Sequence, residues 1–437
     1  MSTLSKKASN YRWKIVIPML FLLYLTAYID RANISFTLSG LQETFAVSST
    51  VVGFITGVFF LGYVILMAPT GYFANKFSPK RIVVILAVLT GVFSSLQGFV
   101  QNIETIIVVR FLLGLVEGGI YPTLGVLIVN WFPGKERGRA SSAFYLYIPI
   151  ASIIMSPIAG YIVENFHFLG LESWRWVFII QGLPIIFIAA LFYFLVPDRP
   201  ELASSRQVNN LEREYLLTEF EKEDKTKKVQ SNKSFRQNVL NKRFILLTLA
   251  YLTGGSIANY GVTLWLPNII EKASGFSYTT IGVLSTIPWI LTAITMLYCG
   301  YLGDKIGKKP LLIMLLYTFA GIGLAASVLM IDHSFWIAFI CITFAKAVGS
   351  ASSAVFLSLI SDIAPKDMVG GMTGIWNSVG GLGGFIGPFV FGAFVSMGSL
   401  STGLIFLAIC YIIGAILIVA SKKKSNQFET INTKVAN

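Results

Sequence analysis

The stretch Gly71–Arg81, GYFANKFSPKR, and its counterpart Gly300–Lys309, GYLGDKIGKK, decide how this chain is read. Each follows a long apolar run and opens Gly-Tyr. Each sets Asn or Asp four residues after the Gly, with Lys next (Asn75 and Lys76; Asp304 and Lys305). From Gly71 to Gly300 is 229 residues, about half of a 437-residue chain, so the two stretches mark a duplicated unit. Anchoring by positive charge would explain the basic residues but not the shared spacing. The spacing suggests that Gly71 permits close helix approach, that Asn75 caps a helix, and that Lys76, Lys80 and Arg81 face phosphates and helix ends.

Outward from these motifs the chain is a series of apolar runs. Twelve are long enough to cross a hydrocarbon core of about 30 Å as helices. They lie at 14–37, 50–73, 82–101, 104–129, 138–163, 174–196, 244–270, 278–302, 309–331, 334–360, 369–396 and 401–421. They lack the alternation that a membrane barrel requires. The expected fold is therefore an all-α membrane protein. Hydrophobic residues make up 55% of the chain and charged residues 13%, against about 25% in soluble domains. That balance excludes an ordinary soluble enzyme. The net charge of +13 would suit nucleic acid, but the basic residues sit in short loops on alternate sides of the runs, so the partner they imply is a lipid bilayer. Cys299, Cys341 and Cys410 fall in apolar runs, which implies no disulfide framework. The only two histidines, His167 and His333, lie in loops, so no metal site is expected, and no nucleophile–base pair stands out.

Of the 34 Lys and Arg residues, three (Arg31, Arg110, Lys346) are in span interiors and two (Arg175, Lys272) fall on one side. All the others fall on the side of the N-terminus, which places both termini in the cytoplasm. The longest polar interval, Asp198 to Arg243, carries eleven basic residues. Leu, Tyr and Phe recur at helical spacing in its middle, as in a partly helical linker on the membrane surface. The expected organisation is an N-terminal six-helix bundle (1–197), a cytoplasmic linker (198–243), a C-terminal six-helix bundle (244–421) and a cytoplasmic polar tail (422–437). The first run follows MSTLSKKASNYRWK without a small-residue cleavage site and reads as a retained span.

Five charges interrupt the spans: Asp30 and Arg31 in the first, Arg110 and Glu117 in the fourth, Lys346 in the tenth. A charge at the bilayer centre costs roughly 2.5–3.5 kcal/mol on insertion scales, so such residues are usually functional. A rise of about 1.5 Å per residue puts Asp30, Arg31 and Arg110 at one outer level and Glu117 with Lys346 deeper. Arg110 and Glu117 are two turns apart and share a helix face. The 229-residue offset places Asp30 on Asn259, Arg31 on Tyr260 and Glu117 on Lys346, so the deeper pair could meet across a central cavity. In this arrangement an Arg grips a carboxylate substrate bidentately. Asp30 or Glu117, its charged form disfavoured by burial, takes up a proton and frees an Arg. The alternative is that the charges only pair to hold helices together. Lys346 is open between binding an anion and neutralising Glu117. Tyr28, Tyr63, Asn259, Tyr260, Trp289 and Asn377 are mid-span polar or aromatic groups that could line a cavity or pack helices. The run GGLGGFIGP (Gly380–Pro388) suits close packing and bending of span eleven, not phosphate cradling.

An ordered set of motifs resembles the anion:cation symporter family of the major facilitator superfamily. The set comprises YIDRAN (Tyr28–Asn33), RFLLGLVEGGIYP (Arg110–Pro122) followed by NWFPGKERGRASS, SWRWVFIIQGLP (Ser173–Pro184), DRPELA, YGVTLWLP and NSVGGLGGFIGP. The resemblance implies two pseudo-symmetric six-helix halves with substrate bound between them, and gating roles for the loops of Gly71, Asn75, Lys76, Gly300, Asp304 and Lys305. It implies uptake of a small organic anion by proton symport, with protons as coupling ion and no other cofactor, in the inner (plasma) membrane; the alternatives are an exporter or anion exchanger of the same fold, or an anion receptor that does not transport. The expected unit is a monomer. Asp30 and Glu117 match the coupling positions. Arg31 and Arg110 match the anion positions, and Tyr28, Tyr63 and Asn377 match substrate contacts of sugar-acid members. Asn259, Tyr260 and Lys346 join the candidate binding set through the repeat. Pro149 resembles the tartrate and hydroxyphenylacetate branch, whereas SLISDIAPKDMVGG (Ser358–Gly371) resembles the hexuronate and glucarate branch, which leaves aldonate against aromatic substrates open.

Overall fold

The computed structural model describes residues 10–226, 235–364 and 368–421. The tail read at 422–437 lies outside the described residues. Twelve described helices are long and apolar enough to cross a membrane. Spans one to six are Arg12–Phe45, Ser49–Lys76, Pro79–Gln97, Ile103–Trp131, Gly134–Asn165 and Ser173–Leu195. Spans seven to twelve are Lys242–Ser274, Tyr278–Ile306, Lys309–Met330, Phe335–Ile360, Gly371–Met397 and Leu400–Ala420. The face at which span one starts and span twelve ends is called here the terminal face, and the other the opposite face.

Local chemistry sets the helix starts. Ser48, Ser78, Asn102, Ser277 and Ser399 each accept a hydrogen bond at a helix N-terminus from the amide three residues on. At the first loop motif the cap is thus Ser78, which accepts from Arg81 N, and not Asn75. Asn75 Nδ2 instead donates back to the Gly71 carbonyl at 2.8 Å. Gly71 lies beside Pro122 of span four, but a side chain at Gly300 would meet nothing within 4 Å. Close approach therefore accounts for the first glycine only.

Span one runs to Phe45, well past the apolar stretch that ends at 37, and its polar end packs on span six. There Gly40 abuts Trp174, and Trp174 Nε1 donates to Thr44 at 3.0 Å. Span four packs on span two backbone to backbone. A Cβ at Gly114 or Gly118 would collide with the carbonyl of Phe59 or Tyr63, and one at Gly62 with that of Phe111. Small residues one turn apart allow this approach, and it brings Glu117 toward the core between the helices.

The two halves meet along the opposite-face portions of spans two and eleven, five and eight, and one and seven. Gly57 faces the Phe385 backbone, and Gly160 with Gly282 lets spans five and eight touch main chain to main chain. Hydrogen bonds close the same face. Glu271 accepts from Ser39 Oγ and, at 2.6 Å, from Tyr278 Oη; Asn268 Nδ2 donates to Ser39 at 3.0 Å; Thr50 donates to Ser396. On the terminal face the linker helix Asn210–Thr226 docks on the N-terminal half. Arg12 bridges Glu212 (2.7 Å) and Glu136 (3.1 Å), and Tyr215 Oη donates to Glu136 at 2.8 Å.

Candidate functional site

A cavity of about 410 Å³ lies between the halves. Its wall includes Met67, Tyr145, Met296, Leu297, Leu357, Trp376 and Asn377, all from the terminal-face portions of their spans, so it opens toward that face. Irregular helix geometry surrounds it. Span five breaks at Leu146, span four has a turn at Gly119 directly after the Glu117 segment, and span seven widens into π-helical turns over Tyr251–Ala258. Such widening recurs at functional sites, and here it brings Tyr251, Ser256 and then Tyr260 to the wall.

Of the candidate residues, Tyr28, Arg31, Tyr63, Tyr260 and Asn377 line the cavity. Asp30, Glu117, Arg110, Asn259 and Lys346 are not among its lining residues. The five charges sort differently from their estimated depths. Asp30 and Arg110 do meet, Arg110 Nη1 donating to Asp30 Oδ2 at 2.8 Å, both 1% exposed. Two span-three residues that sequence reasoning did not single out complete this network. Ser94 donates to Asp30 at 2.9 Å, and Gln97 accepts from Arg110 at 3.1 Å. Arg31, adjacent in sequence to Asp30, leaves that outer group. Its Nε donates to Glu117 Oε1 at 2.7 Å, and its Nη2 to Tyr24 Oη at 3.3 Å. The step of about 100° between neighbouring helix residues is what sends the two side chains to different partners.

The expected meeting of Glu117 with Lys346 across the cavity does not occur. Lys346 Nζ donates to Asn259 Oδ1 (2.7 Å) and Ser350 Oγ (2.9 Å), and sits over the Trp289 ring at 4.3 Å. Each half thus joins its own span-one or span-seven residue to its own span-four or span-ten residue. Under the 229-residue offset Lys346 stands for Glu117, but Asn259 stands for Asp30 and Tyr260 for Arg31, so the two pairings are not symmetric copies. The 229-residue offset located these residues, but the partner of each lies within its half.

The Arg31–Glu117 pair is shaped for chemistry. Glu117 is fully buried, and its Oε2 has no hydrogen-bond partner among the described residues. The guanidinium of Arg31 lies over Tyr63 at 4.2 Å and over Tyr28 at 5.3 Å from the ring centroids, contacts that favour a planar cation. Tyr24, Tyr121, Tyr145 and Tyr147 also line the cavity. Tyr24 and Tyr28 are one turn apart on the face of Arg31, a spacing that could have marked Tyr24 in advance. The loop-motif residues are distant from the cavity. Lys76 lies over Tyr72 at 4.5 Å, Lys305 over Tyr301 at 5.7 Å, and Asp304 pairs with Lys309 at 3.2 Å. Among the described residues no group of three or more His, Cys, Asp or Glu side chains could hold a metal ion.

Twelve helices long and apolar enough to cross a membrane, in repeated halves around a cavity with a buried ion pair, suit a membrane transport protein. The chain belongs to the Major Facilitator Superfamily, whose family model matches residues 20–277 and again 256–433. It is 31% identical to a "Putative tartrate transporter" of Agrobacterium vitis over 408 residues, 92% of each chain. It is 29% identical to a "Quinolone resistance transporter" of Acinetobacter baumannii, covering 95% of this chain and 96% of that one. Its fold matches that of a bacterial homolog of the human lysosomal transporter Spinster in an inward-facing, occupied conformation. There the TM-score is 0.79 at 15% identity, covering 94% and 97% of the two chains.

Proposed function

We propose that the chain imports a small organic anion, a hydroxylated or other carboxylate, by proton symport through alternating access. In this reading it works as a monomer in the inner (plasma) membrane, with termini, linker and terminal face in the cytoplasm. The open cavity is then the inward-facing state, and the proton is the only coupling ion. One observation carries the proposal: Arg31, on the cavity wall, is neutralised by a fully buried Glu117 with one carboxylate oxygen to spare. A proton on that oxygen removes the counter-ion of Arg31 and leaves the guanidinium to the substrate carboxylate. Loss of the substrate inside restores the Arg31–Glu117 pair and expels the proton. Asp30 and Arg110, closed on each other with Ser94 and Gln97, serve as a second, outer pair that opens when the bundle rearranges. Lys346, with Asn259, gives the C-terminal half its own cation near the site. The tartrate-transporter relative supports a carboxylate substrate.

The quinolone-resistance relative favours a second reading, in which the same site drives export or exchange. Both are tested in proteoliposomes carrying a pH-sensitive dye. Adding a carboxylate substrate to de-energised vesicles should alkalinise the medium under symport. Counterflow without proton movement would show exchange. Absence of both for every carboxylate supplied would sink the anion-transport reading.

A further inference from the structure

Of the three cations in span interiors, two face a carboxylate. Arg31 holds Glu117 at 2.7 Å, and Arg110 holds Asp30 at 2.8 Å. Lys346, 1% exposed, has no carboxylate partner among the described residues. Its Nζ donates only to neutral oxygens, Asn259 Oδ1 at 2.7 Å and Ser350 Oγ at 2.9 Å, and lies over the Trp289 ring. A buried ion without a counter-ion is costly, and an apolar side chain would pack there at less expense.

The position of Lys346 along its helix gives that cost a purpose. Ser353 and Ala354, seven and eight residues on, line the cavity, so the three share one face of span ten. Trp289 stands in the same way one turn before the lining Ala293 of span eight. Both spans start at the opposite face, so Lys346 lies about 10 Å nearer to that face than Ser353 does. Asn259 is next in sequence to Tyr260, whose ring meets Phe60 of the N-terminal half edge-on at 4.7 Å.

Resting on the alternating-access reading above, we infer that Lys346 and Asn259 form the landing site for the anion when the opposite face is open. Closure of that face then passes the anion on to Arg31. An entering carboxylate gives the ammonium a charged partner, and such bonds are roughly twice as strong as neutral ones. Asn259, once released, keeps Ser350, which donates to its Oδ1 at 2.8 Å. No carboxylate has to be displaced at this step, so it needs no proton. Arg31 is different, because Glu117 must take up a proton before the guanidinium is free. The anion therefore lands ahead of the proton, and the proton governs its transfer inward. In the conformation described here Lys346 is buried, and binding from the terminal face rests on Arg31.

The test compares entry from the two faces, in sealed membrane vesicles of both orientations made from cells that express the full chain. Initial rates are read with labelled tartrate and labelled galactonate. In Lys346→Met the KM from the opposite face should rise about tenfold or more. The KM from the terminal face should stay within about twofold. Asn259→Asp puts a carboxylate on the ammonium and should raise the opposite-face KM in the same way, whereas a purely structural ammonium would be better satisfied by it. A KM that rises equally at both faces in Lys346→Met, or at neither, overturns the landing site and leaves the anion transporter intact. So does normal opposite-face entry in Asn259→Asp. Parent vesicles that move neither carboxylate from either face overturn both readings.

Discussion

At the residue scale the site comes down to which partner each buried charge keeps. Glu117 and Arg31 hold each other at the cavity, so changing either uncouples a different step. Glu117→Gln keeps the shape but cannot exchange a proton. It should retain substrate binding and counterflow while losing accumulation driven by a pH gradient, measured as labelled substrate in proteoliposomes. Normal accumulation in this variant would make Glu117 structural. Arg31→Ala removes the only charged group on the described wall and should abolish binding. Preserved affinity would move the anion grip to Arg110 or Lys346. Lys346 itself is a buried cation whose described hydrogen-bond partners are neutral, Asn259 and Ser350. Burying a charge without a counter-ion is costly, and Ser350 can still donate to Asn259 at 2.8 Å once the ammonium is gone. Lys346→Met should therefore leave the thermal midpoint unchanged or raise it. A marked fall would mean that the ammonium holds the C-terminal half together.

At the element scale the opposite face is sealed by helix ends rather than by a loop. Glu271 of span seven accepts from Ser39 of span one and Tyr278 of span eight. Hydrogen bonds to a charged group contribute about 1.5–3 kcal/mol each, and every 1.4 kcal/mol is about tenfold in an equilibrium. Glu271→Ala should accordingly favour opening of that face by about tenfold or more. The readout is faster labelling, by an impermeant maleimide, of a cysteine placed at Thr50. Unchanged labelling would assign the seal to the Gly57–Phe385 and Gly160–Gly282 contacts together with the Asn268–Ser39 and Thr50–Ser396 hydrogen bonds. Those backbone contacts explain why the glycines of spans two, five and eight matter, although hydropathy alone registers them only as small apolar residues.

At the scale of the whole molecule, the linker helix belongs mechanically to the N-terminal half. Glu212 is fully buried against Arg12, which also holds Glu136 beside Tyr215. Removing one partner of a buried pair costs about 3–5 kcal/mol. Glu212→Ala should release the helix Asn210–Thr226, seen as faster amide exchange there with the spans unchanged. Equal exchange in the variant and the parent would mean that apolar docking suffices.

The sequence by itself determined the twelve spans, the duplication and the identity of the interior charges. Hydropathy is a local property of each run, and a 229-residue offset survives whatever the helices do in space. It also marked Tyr28, Arg31, Tyr63, Tyr260 and Asn377, which do reach the cavity wall. Only the tertiary structure decided who pairs with whom. A depth counted along a helix is uncertain by a few residues at its start, and one turn is already about 5.4 Å. The rotation of a helix about its axis is set by packing that depth does not record, here by Gly114 and Gly118 seating span four on span two. That rotation gives Glu117 to Arg31 and leaves Lys346 to Asn259. The aromatic cavity was hidden for the same reason: Tyr24, Tyr147 and Tyr251 belong to three different spans, and only the packed bundle brings their rings to one space.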